Sequence, residues 1–177
     1  MQVIAIGGEP GSGKTTLMKR LVEHFKVQPK YDKVKLVPYL QSGNIYILGK
    51  YEDDQVFAGT DRMSMAVQPE AIKFLKTLPE DSVVLYEGDR LFTASFLEHC
   101  ANNHILSIIY LSTDRDTRRA RYEERGSNQD ATWLQGRESK IANILGNLVL
   151  MWHTEKFDNN DLEEQETVFN HIVKMAE

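Results

Sequence analysis

Val3-Ile4-Ala5-Ile6-Gly7-Gly8-Glu9-Pro10-Gly11-Ser12-Gly13-Lys14-Thr15-Thr16 joins a strand-length apolar run to a match for G-x-x-x-x-G-K-[ST]. Leu17, Met18, Leu21, Val22 and Phe25 follow at helical spacing, so strand, glycine-rich turn and helix come in the order a phosphate-binding loop needs. Glycines let successive backbone N–H groups turn inward around an anion, and the helix adds the positive end of its dipole. The pattern predicts a nucleoside triphosphate site over Gly8, Glu9, Pro10, Gly11, Ser12, Gly13, Lys14, Thr15 and Thr16, with ATP as the donor. Lys14 is expected to reach the β- and γ-phosphates, and Thr15 to place its hydroxyl on the Mg²⁺ that bridges them.

Outward from this loop, strands and helices alternate. Gln2 to Ile6 reads as the first strand and Lys14 to about Lys26 as the first helix. Lys33 to Leu40 and Asn44 to Leu48 are strand-like, and Gln41-Ser42-Gly43 between them predicts a hairpin or a bent strand. Gly49 to Asp61 has no clean period and reads as a functional or mobile loop. A helix from Pro69 to Leu78, a buried-type strand from Ser82 to Tyr86, a helix from Leu91 to Ala101 and an apolar strand from Ile105 to Leu111 follow. Thr113 or Asp114 is placed to cap an arginine-rich helix that ends near Gly126. The next helix spans about Thr132 to Leu148, with Leu134, Ile141, Ile144, Leu145 and Leu148 inward. Val149 to His153 reads as the last strand. The order predicts an α/β fold, a parallel five-stranded sheet with helices on both faces and its ligand at the carboxyl ends of the strands.

A chain of 177 residues fits one domain, residues 1–177, with a full core and no room for the mechanical modules of a motor. Its N-terminus lacks a basic region and its first apolar stretch is only a strand long, which predicts a soluble, cytoplasmic protein without a membrane partner. A single cysteine, Cys100, excludes an internal disulfide framework and a cysteine-rich zinc site, and its apolar helical surroundings give it a packing role. The net charge is −5, and the segment from Asp158 to Glu177, with six acidic residues and one lysine, carries all of it. That segment reads as a helix with Leu162, Gln165, Phe169, Ile172, Val173 and Ala176 on one face and a solvated acidic face opposite.

Val83-Val84-Leu85-Tyr86-Glu87-Gly88-Asp89-Arg90 ends a buried strand with two carboxylates and an arginine, on the sheet edge where the phosphate loop must lie. A group-transfer site has to hold Mg²⁺ and orient or deprotonate an acceptor hydroxyl, and carboxylates on a rigid strand end do both. Glu87 is placed to ligate the metal and Asp89, further out, to meet the acceptor, though the roles are exchangeable. The alternative is a Glu87–Arg90 pair that only caps the next helix. Asp114 to Arg125 has almost no apolar face, and Arg118, Arg121 and Arg125 share one side of it, so the helix either closes guanidinium groups over phosphates or is a solvated, salt-bridged surface.

Phosphate loop, strand-end Glu-Gly-Asp-Arg and arginine helix together resemble the nucleoside and nucleotide kinase branch of P-loop proteins over nearly the whole chain. The resemblance implies the P-loop NTPase fold, with an arginine-rich lid at about residues 114–140. Leu48-Gly49-Lys50-Tyr51, Ala58 to Pro69, Glu87 to Phe92 and Gln135-Gly136-Arg137-Glu138-Ser139-Lys140 are more narrowly similar to viral P-loop kinases of DNA hypermodification. Those kinases phosphorylate the hydroxymethyl group of 5-hydroxymethyluracil already in DNA. This likeness implies a partner, DNA containing a 5-hydroxymethyl pyrimidine, and the host cytoplasm as location. It puts Asp61 and Arg62 in the acceptor pocket and Arg137 and Lys140 on the phosphate-facing side of the lid, while Asp61 read alone also suits a helix N-cap. The expected working parts are Lys14, Glu87, Asp89, Arg90, Asp61, Arg118 and Arg121, with Thr15 and Glu87 on the metal. A base lifted from the stack needs a platform, for which Phe57, Phe92 and Trp133 are candidates. Against DNA stands the lack of a long basic stripe. A kinase of a free nucleoside, nucleotide or other small metabolite is the alternative, and a hydrolysing switch a further one. No [NT]-K-x-D element supports a GTPase switch.

Overall fold

The computed structural model describes residues 1–31, 36–52, 57–124, 126 and 130–177. In chain order the regular elements are β1 (Gln2–Gly8), α1 (Lys14–Phe25), β2 (Gln28–Pro29), β3 (Tyr39–Ser42), β4 (Ile45–Leu48) and α2 (Gln68–Leu75). They continue with β5 (Val83–Glu87), α3 (Ala94–Asn103), β6 (Ile105–Ser112), α4 (Arg115–Glu124), α5 (Ala131–Leu145), β7 (Thr154–Asp158) and α6 (Leu162–Ala176). Among the described residues the sheet has seven strands in the order β2-β3-β4-β5-β1-β6-β7.

The five strands β4-β5-β1-β6-β7 pair in parallel, and the other two extend them: β3 runs antiparallel to β4 and β2 to β3. The α/β reading and the parallel five-strand core therefore hold, and the correction is an added antiparallel edge. The Gln41-Ser42-Gly43 hairpin is present, with Tyr39 opposite Leu48 and Ser42 opposite Ile45.

Central strands form here because nearly every position is apolar and both faces are covered. Alternation splits β1 cleanly: Val3 and Ala5 join the core beneath α2, α3 and α5, whereas Ile4 and Ile6 join the core beneath α1 and α6. Cys100 is buried in the first of these cores, and burial pushes its thiol up to about 12, so it packs as an apolar group.

Several boundaries differ from the sequence reading, each for a local reason. The helix after Arg90 begins at Ala94, because Thr93 caps it by accepting from Phe96 N at 3.3 Å. Val149–His153 is not the last strand: Leu150–His153 is a 3-10 turn and the strand is Thr154–Asp158. That strand lies on the sheet edge with Glu155, Lys156 and Asp158 exposed, so its composition hides it. Leu148 and Leu162, expected inward, are 78% and 83% exposed, and Val168 fills the α6 face instead. Lys33 to Lys35, Asp53, Asp54 and Arg125 lie outside the described residues.

Gly49, Lys50 and the residues from Gly59 to Met63 are brought onto the end of β5 by backbone contact. Lys50 and Gly59 exchange hydrogen bonds of 3.2 and 2.8 Å. Gly59 and Gly88 then pack where no side chain fits: a Cβ on Gly59 would lie 2.7 Å from Glu87 Oε1, and one on Gly88, whose φ is +106°, 2.7 Å from Thr60 Oγ1. We expect Gly88→Ala to destabilise the protein by about 2–3 kcal/mol through strain and displacement of Thr60. Urea unfolding of the two proteins measures it.

Candidate active site

The loop and four strand ends meet at one edge. β1 ends at Gly8, β5 at Glu87, and β6 and β7 finish side by side with Ser112 opposite Asp158. Gly8, Glu9, Pro10, Gly11, Ser12 and Gly13 turn between β1 and α1, and Ser12 is fully buried. Lys14 Nζ donates to Gly8 O at 2.8 Å and Glu9 O at 3.0 Å, so the ammonium lies over the loop. Burial lowers its pKa, opposed by the carboxylates of Glu87, Asp89, Asp61 and Glu9. Thr16 is exposed on the outer side of the first turn.

Glu87 is 2% exposed, and Thr15 Oγ1 donates to its Oε1 at 3.1 Å. Burial pushes its carboxyl up to about 7; Lys14 opposes this, Asp61 adds to it, the Thr15 bond opposes it and Asp89 adds a little. The cap between Glu87 and Arg90 does not form: Arg90 Nε donates to Met63 O at 3.3 Å.

Asp61 lies within the 3-10 turn Thr60–Arg62 rather than at its N-cap. Its Oδ1 accepts from Asp89 N at 2.7 Å, joining the Gly49–Met63 segment to the strand-end carboxylates. Burial, then the Asp89 charge, raises the Asp61 pKa. Arg62 faces outward to Glu52 at 3.1 Å. Asp89 in turn pairs with α5: Arg137 Nη1 is 2.5 Å from its Oδ2, and Lys140 Nζ is 3.6 Å from its Oδ1 and donates to its backbone carbonyl at 2.8 Å. Arg137 and Lys140 thus meet the Asp89 carboxylate, and Arg137 also lines the cavity that the phosphate loop borders. The Arg137 guanidinium also stacks 4.9 Å over Trp133.

The arginines of α4 divide. Arg118 pairs with Glu138 at 3.3 Å and lies 3.9 Å from Glu9, whose carboxylate also accepts from Tyr110 Oη at 3.0 Å. Arg121 donates to Gly11 O at 3.1 Å and to Asn159 O and Asn160 O at 2.9 Å each, stapling the lid root to the loop. Asp114 caps the helix by accepting from Thr117 N at 2.8 Å. Asn159, fully buried, donates from Nδ2 to Ser12 O at 2.6 Å. Sequence reasoning missed Tyr110, Asn159 and Asn160; their signal was position, at or just beyond the ends of β6 and β7.

A cavity of about 340 Å³ joins these parts, running from Gly8, Lys14 and Thr15 past Glu87 to Asp61, Asp89 and Arg137. Phe57, Phe92, Tyr122 and Trp133 give it aromatic walls. No helix among the described residues is long and apolar enough to cross a membrane.

The buried carboxyl sets a pH dependence for the metal-free protein. A folded-state pKa above the unfolded one contributes stability that is full below about 4.5 and is lost as pH rises through about 7. We expect Glu87→Gln to remove that loss, gaining on the wild type by on the order of 2–3 kcal/mol between pH 5 and 8. Urea midpoints at the two pH values test it.

The fold has a known counterpart. The crystal structure of a gluconokinase from Sinorhizobium meliloti 1021 superposes with a TM-score of 0.57 at 12% identity, covering 99% of this chain and 93% of that one. A deoxyadenosine kinase from M. mycoides, solved with dCMP and a flexible dCDP bound, gives a TM-score of 0.48 at 14% identity, covering 99% and 100%. At 12% identity the likeness to the gluconokinase is one of fold. No curated protein sequence matches the chain. The model of the family P-loop Nucleotide Kinase3 matches residues 1–156, and the protein belongs to that family, with the α/β fold of P-loop kinases.

Proposed function

We propose that the protein is an ATP-dependent kinase that transfers the γ-phosphoryl group to the hydroxymethyl group of a 5-hydroxymethyl pyrimidine, with 5-hydroxymethyluracil in DNA as the leading acceptor. The observation that carries the proposal is the single cavity that links the phosphate loop to Asp61 and Asp89 between aromatic walls. An alcohol on a planar ring fits such a space: the ring lies against Phe57 or Trp133 and the hydroxyl reaches the carboxylates.

In this reading Lys14 and the loop N–H groups bind the triphosphate, Arg118 exchanges a carboxylate for phosphate oxygens, and Arg121, bonded to Gly11 O, holds α4 against the loop. Thr15 and Glu87 suit Mg²⁺, since both offer hard oxygens. Among the described residues no cluster of three or more acidic, histidine or cysteine ligands forms, and Mg²⁺ with a nucleotide needs only one or two protein oxygens. Held by Thr15 and Glu87, such an ion would supply positive charge to offset that of the phosphates. Asp89 orients the acceptor hydroxyl and takes its proton as the oxygen attacks the γ-phosphorus and the bond to the β-bridging oxygen breaks. Arg90 and Asp61 hold the strand end and the Asp89 backbone in place. The product carries a good leaving group on the base, ready for displacement by a nucleophile.

A second reading has its own support. A cavity of about 340 Å³ and a net charge of −5 suit a free nucleoside, nucleotide or other small alcohol better than a duplex. Incubation with labelled ATP and either modified duplex or free nucleoside separates the two. We expect label in the duplex; label confined to the free nucleoside overturns DNA as acceptor, and ATP hydrolysis indifferent to every acceptor overturns the kinase. Lys14→Ala is expected to cut transfer by about a hundredfold or more, measured in the same assay.

A further inference from the structure

Two hydroxyls on residues flanking the Lys50–Gly59 bridge are buried and have no hydrogen-bond partner among the described residues, Tyr51 Oη and Thr60 Oγ1. Leaving a buried hydroxyl unpaired is costly, so such a group inside a site marks where something else completes the network. Backbone geometry fixes the position of Tyr51. It follows Lys50, which pairs with Gly59, and Gly59 is pressed against the Glu87 carboxylate. Its N–H donates to Tyr31 Oη at 3.2 Å. The Tyr51 ring packs into the core that contains Leu17, Ile47 and Leu85, beneath α1. Glu87, two residues after Leu85 on β5, faces that same side. Burial first, then the charges of Glu87 and Asp61, holds the phenol well above its usual 10, so it stays a neutral donor and acceptor.

We infer that Tyr51 is a positioning residue for the divalent-cation site, its O–H donating to a buried water that in turn donates to the Glu87 carboxylate and fixes the rotamer that faces Thr15. The inference rests on the proposed cation site at Glu87 and Thr15. Outer partners of this kind typically hold a tenfold or larger share of metal affinity, because they orient a ligand that would otherwise rotate. Tyr51→Phe keeps the ring and its packing and removes only the hydroxyl. The test is Mn²⁺ binding to the full chain saturated with a non-hydrolysable ATP analogue, followed by loss of the free-Mn²⁺ spin-resonance signal. We expect Tyr51→Phe to weaken Mn²⁺ about tenfold or more with no fall in its urea midpoint. Unchanged Mn²⁺ affinity in Tyr51→Phe, with affinity lost in Glu87→Gln, overturns the role of Tyr51 and leaves the cation site standing. Unchanged affinity in both variants overturns the cation site itself.

Discussion

A carboxylate buried to 2% exposure at the end of a central strand is the constraint around which the site is arranged. Such a charge is expensive in an apolar setting and needs cations and hydrogen-bond donors around it. Thr15 supplies a donor, and Lys14 supplies the opposing charge from the same loop that binds phosphate. The loop and β5 are therefore coupled through Glu87 before any ligand arrives, and a bound cation would stabilise the ionised form that the bare fold disfavours.

Helices α4 and α5 illustrate the same economy of charge. Arg118 pairs with Glu9 and Glu138, Arg137 with Asp89, and Arg121 with backbone carbonyls. In the proposed function a triphosphate would compete with Glu9 and Glu138 for Arg118, and a guanidinium that exchanges one anion for another loses little on rearranging. Arg121 differs, since its bonds go to Gly11, Asn159 and Asn160 and keep α4 attached to the loop. One helix thus carries a backbone staple and a carboxylate-paired charge, three residues apart.

Much of this was legible in the sequence because it rests on short-range patterns. The phosphate loop needs glycines and a lysine at fixed spacing, and β1, β5 and β6 are continuous apolar runs; these read correctly. β7 was displaced by one element because an edge strand buried on few positions loses its apolar signature, and with it Asn159 and Asn160 went unnoticed. Arg137 and Lys140 were singled out, but a helix sequence does not say which anion its cations meet. Their meeting with Asp89 depends on how α5 crosses the sheet edge, a tertiary fact.

The geometry also separates two carboxylates that the sequence left interchangeable. Glu87 is buried beside Thr15, on the face covered by α1, which suits holding a cation. Asp89 is a quarter exposed, lines the cavity and is in direct contact with Arg137 and Lys140. Both cations paired with Asp89, Arg137 and Lys140, come from α5, so the proposed acceptor chemistry would depend on how that helix holds the carboxylate.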